Sequence, residues 1–103
     1  MFRNRQIAEI KSKMAHVHFT SALKPFFPEI ESLEIEAESI AELIEHIEKV
    51  YPGIKTFVLQ DDGSIRKHVN IYIDNQLIED EINLSDPITK TTQVHIFQAL
   101  SGG

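Results

Sequence analysis

The chain is 103 residues long and 42% hydrophobic, so it can bury one modest core, which excludes a multidomain enzyme. Its 16 acidic residues outnumber its 10 basic ones, and the net charge of −6 repels phosphate groups, so we expect no nucleic acid partner. The absence of cysteine excludes disulfides, thiolate zinc sites and a cysteine nucleophile. Because the sequence shows neither a bilayer-spanning apolar run nor the apolar block of a secretory signal, we expect a cytoplasmic protein that does not bind membranes.

The first 14 residues differ in charge from the rest. Residues 1–13 contain four basic residues and one acidic residue, which gives them a net charge of +3 and leaves −9 for residues 14–103. We interpret residues 1–14 as a basic N-terminal extension. A frayed tail, a short basic helix and a misassigned start, with Met14 as the true initiator, all fit this sequence.

Two strands are predicted next. In residues 15–20 (AHVHFT) hydrophobic and polar side chains alternate, and both histidines lie on the polar face. In residues 33–37 a leucine, an isoleucine and an alanine alternate with glutamates. That pattern is typical of a strand with one buried and one solvated face.

A helix follows these strands. Ser39 and Glu42 form a capping box, and hydrophobic residues then recur at helical spacing up to Tyr51. Pro52 and Gly53 predict its end, because Gly accepts the left-handed conformation and Pro cannot continue the hydrogen-bond ladder. Residues 54–59 are apolar but short, which favours a single turn packed under the sheet.

Three more strands complete the domain, over residues 67–73, 76–78 and 93–99. Asp74 and Asn75 are predicted to form a turn, although Gln76 stands where a tight hairpin would favour Gly. In the last strand Val94 and Ile96 face one way and Phe97 the other. The element order predicts an α+β fold, a ubiquitin-like β-grasp over residues 15–99 with a mixed sheet of four to five strands on one main helix.

The last two residues are glycines that close no predicted turn. The chain has only four glycines, and Gly53 and Gly63 stand at turns, whereas Gly102 and Gly103 end the sequence. Taken alone, the pair fits a frayed end equally well.

Two motifs, residues 63–75 and residues 100–103, together resemble those of the MoaD/ThiS-like sulfur carriers, the ubiquitin-like proteins of molybdopterin, thiamine and some cysteine biosyntheses. Residues 63–75 (GSIRKHVNIYIDN) are similar to the family's turn, basic pair and Val-Asn-Ile-Tyr strand, most of all in the cysteine-biosynthetic branch. Residues 100–103 (LSGG) are similar to the family's ending. The chain departs from the family at residues 88–93, where an Asp-Gly-Asp turn is common, and in its N-terminal extension.

The resemblance implies that residues 100–103 form a flexible tail and that Gly103 carries the chemistry. A separate ubiquitin-activating-type adenylyltransferase would use ATP and Mg²⁺ to adenylate the Gly103 carboxylate. A sulfur donor would convert the adenylate to a thiocarboxylate, and a sulfur-accepting synthase would receive the sulfur. The chain would therefore be a carrier and substrate with no catalytic residue and no permanently bound cofactor. Gly102 and Gly103 have no Cβ, so they can thread a narrow nucleotide site.

A partner interface is expected beside the tail. Strand alternation turns Phe97 outward, and the resemblance implies an interface phenylalanine at this position, with Leu100 and Ser101 as further contacts. A competing interpretation is that Phe97 packs under the extension or the loop of Phe26 and Phe27.

Other sites are weaker. If the fold is a β-grasp, His16, His18, His68 and His95 share its outer face, but no carboxylate or cysteine joins them at a ligand spacing, so we predict a polar face and no metal site. The acidic run from Glu29 to Glu48 is interpreted as a solvated face. Two rival functions remain: a protein modifier joined to lysines through the same tail, and a non-catalytic binding subunit with an inert tail.

Overall fold

A computed structural model describes residues 14–89 and 92–98 of the chain. The strands are β1 (Ala15–Phe19), β2 (Leu33–Ile35), β3 (Val69–Ile73), β4 (Gln76–Leu77) and β5 (Gln93–Gln98). The helices are α1 (Ile40–Val50) and α2 (Ile54–Val58), and a 3-10 turn covers Ser21–Leu23. The predicted extension, apart from residue 14, and the predicted tail at residues 100–103 lie outside the described residues.

The five strands form one mixed sheet in the order β2-β1-β5-β3-β4. β1 and β5 are parallel at its centre, with Val17 opposite Val94, and the other neighbouring pairs are antiparallel. The β-grasp prediction, in which the first and last strands lie side by side, is confirmed.

α1 forms where the capping box predicts it. The Ser39 hydroxyl accepts a hydrogen bond from the Glu42 N–H at 3.2 Å, which satisfies one of the free donors of the first turn. The core joins one face of this helix to alternate positions of the central strands; it includes Ile40, Leu43, Ile44, Ile47, Val17, Ile71, Val94 and Ile96. Burying each such side chain contributes about 1.5–3 kcal/mol relative to leaving it exposed.

The single turn predicted at residues 54–59 forms as the five-residue helix α2. α2 begins after Gly53, whose φ of +100° is left-handed, and it buries Ile54 and Val58. The Glu48 carboxylate accepts hydrogen bonds from the Gly53 and Lys55 N–H groups, both at 2.9 Å. These bonds, that of Gly53 first, lower the pKa of Glu48. The interpretation of the acidic run as a solvated face is therefore incomplete at Glu48, because the Glu48 carboxylate also stabilises the start of α2.

Several strand ends differ from the predictions. β3 begins at Val69, since residues 67 and 68 lie in a turn, and β2 ends at Ile35. Asp74 and Asn75 have φ of 48° and 75°, as in a two-residue hairpin loop. Ile73 is paired with Gln76, so Gln76 is a strand residue and requires no glycine.

The loop between β4 and β5 covers the start of α1, which sequence patterns did not indicate. The Leu84 and Asp86 carbonyls accept hydrogen bonds from the N–H groups of Ala41 and Ile40, at 2.9 and 3.1 Å. These are first-turn donors that the helix itself cannot satisfy. Leu84 is buried and anchors the loop, at a φ of 53°.

The Asp80 carboxylate holds this loop in shape. It accepts hydrogen bonds from the Ser85 hydroxyl and from the N–H groups of Ile82, Asn83 and Ser85. The Ser85 hydroxyl, followed by the Asn83 N–H, lowers the pKa of Asp80 from 3.8 to about 2.

The contribution of Asp80 to the free energy of unfolding should therefore decrease at acid pH. Because the folded-state pKa is depressed, the stabilisation is complete above the ordinary value of 3.8 and is lost as pH falls through about 2. We expect Asp80→Asn to lower the free energy of unfolding near neutral pH and to flatten its decline in this window, as measured by urea unfolding between about pH 2 and 6. Asp61→Asn, at an exposed turn position, is the matched control. Parallel pH profiles for the wild type and Asp80→Asn would contradict this role.

Candidate functional site

The outer face of the sheet consists of the side chains that alternate with the buried ones. On β3 and β5 these are Asn70, Tyr72, His95 and Phe97, all exposed or half-buried, while their neighbours Ile71, Val94 and Ile96 are buried. β1 adds the half-buried His16 and His18. No described residue of the outer face on these three strands is a lysine, an arginine or a carboxylate, although the body as a whole is acidic.

Phe97 is the exposed aromatic residue of this face. Its side chain is 44% exposed, and it contacts the Tyr72 ring edge-on at a centroid distance of 5.6 Å and the His95 ring nearly parallel at 6.0 Å. A shallow depression of about 410 Å³ beside it is lined by Asn70, Tyr72, Asn75, His95 and Phe97. An aromatic ring beside a depression can bury a partner's apolar side chain while the amides bind polar groups.

The two phenylalanines considered as a possible cover for Phe97 lie elsewhere. Phe26 and Phe27 contact Phe57 of α2, at centroid distances of 4.7 and 5.3 Å. Phe97 points outward as strand alternation predicts. The extension, the other cover considered, lies outside the described residues, and the role of Phe97 in an interface stays a prediction.

His18 and His95 stack on each other in the middle of the outer face, with ring centroids 4.7 Å apart. The His18 nitrogens lie 3.1 Å from the Ser32 hydroxyl and 2.8 Å from the Gln93 side-chain oxygen. Both nitrogens of His18 thus already have polar partners. Residues 14–89 and 92–98 hold no cluster of three or more metal-binding side chains. His68 lies in the turn before β3, so the alternation that would place it on this face does not apply to it.

The predicted chemical residues follow directly after this face. Gly102, Gly103, Leu100 and Ser101 lie outside the described residues, and β5 ends at Gln98, immediately after Phe97. The structure brings Phe97 together with Tyr72, Asn70 and Asn75, which sequence reasoning missed as site residues. The observation that identifies Asn70 and Tyr72 is the register of β3 and β5, in which Asn70 is opposite Phe97 and Tyr72 is opposite His95. That register is a long-range property that the sequence pattern does not contain.

In the part of the chain that the structure describes, no helix combines the length and the apolar character needed to cross a membrane.

Comparison with known proteins gives a family and a fold. The model of the ThiS family matches residues 17–103. No curated protein is a match in sequence. The chain is similar in structure to a chain of the BexX/CysO complex of Amycolatopsis orientalis, with 19% identity, 86% of this chain and 99% of that chain covered, and a TM-score of 0.74.

Two further solved structures are similar. CysO of Mycobacterium tuberculosis has 22% identity over 84% of this chain and 99% of that chain, with a TM-score of 0.72. Small archaeal modifier protein 1 of Methanosarcina acetivorans has 16% identity over 88% of this chain and 97% of that chain, with a TM-score of 0.70. At such identities, these likenesses show that the fold is shared.

Proposed function

Because the chain belongs to the ThiS family, we propose that it is a sulfur carrier that holds sulfur as a thiocarboxylate on Gly103. The observation that carries this proposal is the extent of the family match, which runs from residue 17 through β5 to the terminal pair Gly102 and Gly103. The carrier acts in the cytoplasm, where ATP for activation is available.

The chemistry takes place at the carbonyl carbon of Gly103. An oxygen of its carboxylate attacks the α-phosphorus of ATP, and an acyl adenylate forms as pyrophosphate leaves. Hydrosulfide then attacks the acyl carbon: the C–S bond forms, the C–O bond to AMP breaks, and AMP leaves with the electron pair. If the donor is a persulfide, an acyl disulfide forms first and a thiol must release the thiocarboxylate. The sulfur stays on the chain terminus, so the carrier needs no cysteine, and this chain has none.

The catalytic groups, ATP and Mg²⁺ belong to a separate activating enzyme, and the chain is its substrate. The outer face with Phe97 docks that enzyme and then the sulfur-accepting synthase, while Leu100 and Ser101 contact the entrance of the enzyme's site. The similar CysO from Amycolatopsis orientalis occurs in a complex with BexX, which supports docking to a partner protein.

Intact-mass spectrometry tests the proposal. We expect the purified chain, incubated with its cognate activating enzyme, ATP, Mg²⁺ and sulfide, to gain about 16 Da, the exchange of one oxygen for sulfur at an activated acyl carbon. Omission of ATP is the control, because sulfide alone cannot displace a carboxylate oxygen. A chain of unchanged mass in the complete reaction would refute the sulfur-carrier function.

The modifier function is the second candidate, and the structural similarity to small archaeal modifier protein 1 favours it over a binding subunit with an inert tail. A modifier would form an isopeptide bond between Gly103 and a lysine of another protein after the same adenylation. Immunoblots of native lysate separate the two functions, because a modifier gives bands of high mass that disappear when Gly103 is deleted. If deletion of the terminal pair leaves the cellular phenotype unchanged, the tail is inert and the chain is a binding subunit.

A further inference from the structure

Two adjacent cations, Arg66 and Lys67, lie at the end of the sheet from which the C-terminal residues continue. Val69, the first residue of β3, is opposite Gln98, the last residue of β5. Arg66 and Lys67 closely precede Val69, and both are exposed. They are therefore placed at the end of the sheet that contains Gln98.

These cations are unusual in an acidic body. Residues 14–103 carry a net charge of −9 and contain six basic residues, two of which form this pair. Within residues 14–89 and 92–98, the ion pairs are those of His46 with Glu42 and of Lys55 with Glu45, so neither Arg66 nor Lys67 forms an ion pair there.

Two aspartates share a recess with Arg66, and one of them is hydrogen-bonded to another residue of its own turn. Arg66, Gln60, Asp61 and Asp62 line a recess of about 310 Å³. Asp62 accepts hydrogen bonds from the Ser64 N–H and hydroxyl, at 2.9 and 2.6 Å, so it is held within its own turn.

The Arg66 guanidinium is held in place by its inner nitrogen. Arg66 Nε donates a hydrogen bond to the Thr56 carbonyl at 2.6 Å, and the backbone of Arg66 is fixed by bonds with Val58 and Val69 at 3.0 and 3.1 Å. Because Nε is used, the two terminal nitrogens remain for another acceptor. A guanidinium fixed in this way loses little side-chain entropy when it binds a carboxylate.

From this geometry we infer that Arg66, supported by Lys67, binds a carboxylate on the activating enzyme beside the entrance for the tail. This inference rests on the proposed function and adds the chemistry of the partner surface. A partner complementary to the acidic body is basic overall, and a carboxylate opposite Arg66 would match this exposed cationic pair. If the chain docked in a shifted orientation, Arg66 and Lys67 would be repelled by the partner's cations. The pair therefore also favours one orientation of the chain on the enzyme.

Steady-state kinetics of pyrophosphate release test this role, with the full chain as the varied substrate. We expect Arg66→Gln to raise KM about tenfold and leave kcat unchanged, because docking weakens while the tail chemistry is intact. The KM of Arg66→Lys should lie between those of the wild type and Arg66→Gln, since lysine keeps the charge and loses the planar guanidinium. Lys49→Gln removes an exposed cation from α1 instead of from the turn before β3, and is the matched control.

The salt dependence separates docking from a structural effect. Raising the ionic strength from about 0.05 M to 0.3 M should raise the KM of the wild type more than that of Arg66→Gln, because the variant lacks the screened pair. Equal KM values for Arg66→Gln and Lys49→Gln, with an active wild type, would overturn the inference and leave the carrier function standing. No pyrophosphate release from the wild type would overturn both.

Discussion

Gly102→Ala or Gly103→Ala is expected to lower the rate of thiocarboxylate formation at least about 100-fold, because a methyl group would displace the reacting carboxylate within a narrow nucleotide site. Displacement of the reacting atoms by about 1 Å is enough for an effect of this size. The rate is measured as the appearance of the species with added mass in the presence of the activating enzyme, ATP and sulfide.

Gly63→Ala is the matched control for this substitution. Gly63 has a φ of +91°, and no atom lies within 4 Å of the position that a Cβ would take, so alanine there strains the backbone without a clash. We expect it to lower the free energy of unfolding by about 1 kcal/mol and to leave thiocarboxylate formation unchanged at a temperature where the chain stays folded. If all three alanine variants form the thiocarboxylate at the wild-type rate, the proposed role of Gly102 and Gly103 in activation is wrong.

Phe97→Ala is expected to weaken binding to the activating enzyme about 30-fold or more, as for an aromatic residue at the centre of an interface. The reason is that Phe97 is the exposed ring of the outer face and is supported on two sides by Tyr72 and His95. Isothermal titration of each variant with the purified enzyme gives the dissociation constant directly.

Phe26→Ala is its matched control. Phe26 is 56% exposed and also packs against another ring, that of Phe57, but it does not belong to the outer face. We expect a modest loss of stability and an unchanged dissociation constant for this variant. If the two alanine variants bind equally well, the outer face is not the docking surface, and the region of Phe26 must be tested instead.

The sequence determined most of the secondary structure, because the signals are local. The alternation in residues 15–20, the capping box of Ser39 and Glu42 and the helical spacing that follows each depend on residues a few positions apart. The terminal glycine pair, with the strand motif at residues 69–72, was also sufficient to indicate the ThiS family, which the family match shows. Phe97 was predicted to point outward from strand alternation alone.

The tertiary structure decided which of these residues meet. Tyr72 is 25 positions before Phe97, and the two rings touch only because β3 lies beside β5 in a register that pairs Asn70 with Phe97. In the same way, the stack of His18 on His95 depends on the parallel pairing of β1 with β5. Local patterns cannot specify such contacts, because the register is set by packing of the whole core.

Backbone hydrogen bonding explains the remaining differences. The sequence showed Glu48 as one of several helix-face glutamates, and only the chain reversal at Gly53 brings two N–H groups to its carboxylate. The cover over the start of α1 likewise forms because Leu84 and Asp86 approach unpaired N–H groups from more than 40 residues away in sequence. The order of residues along the chain thus determined its helices and strands and indicated its family, whereas the outer face around Phe97 arises from strand order and register, which are fixed when the elements pack together.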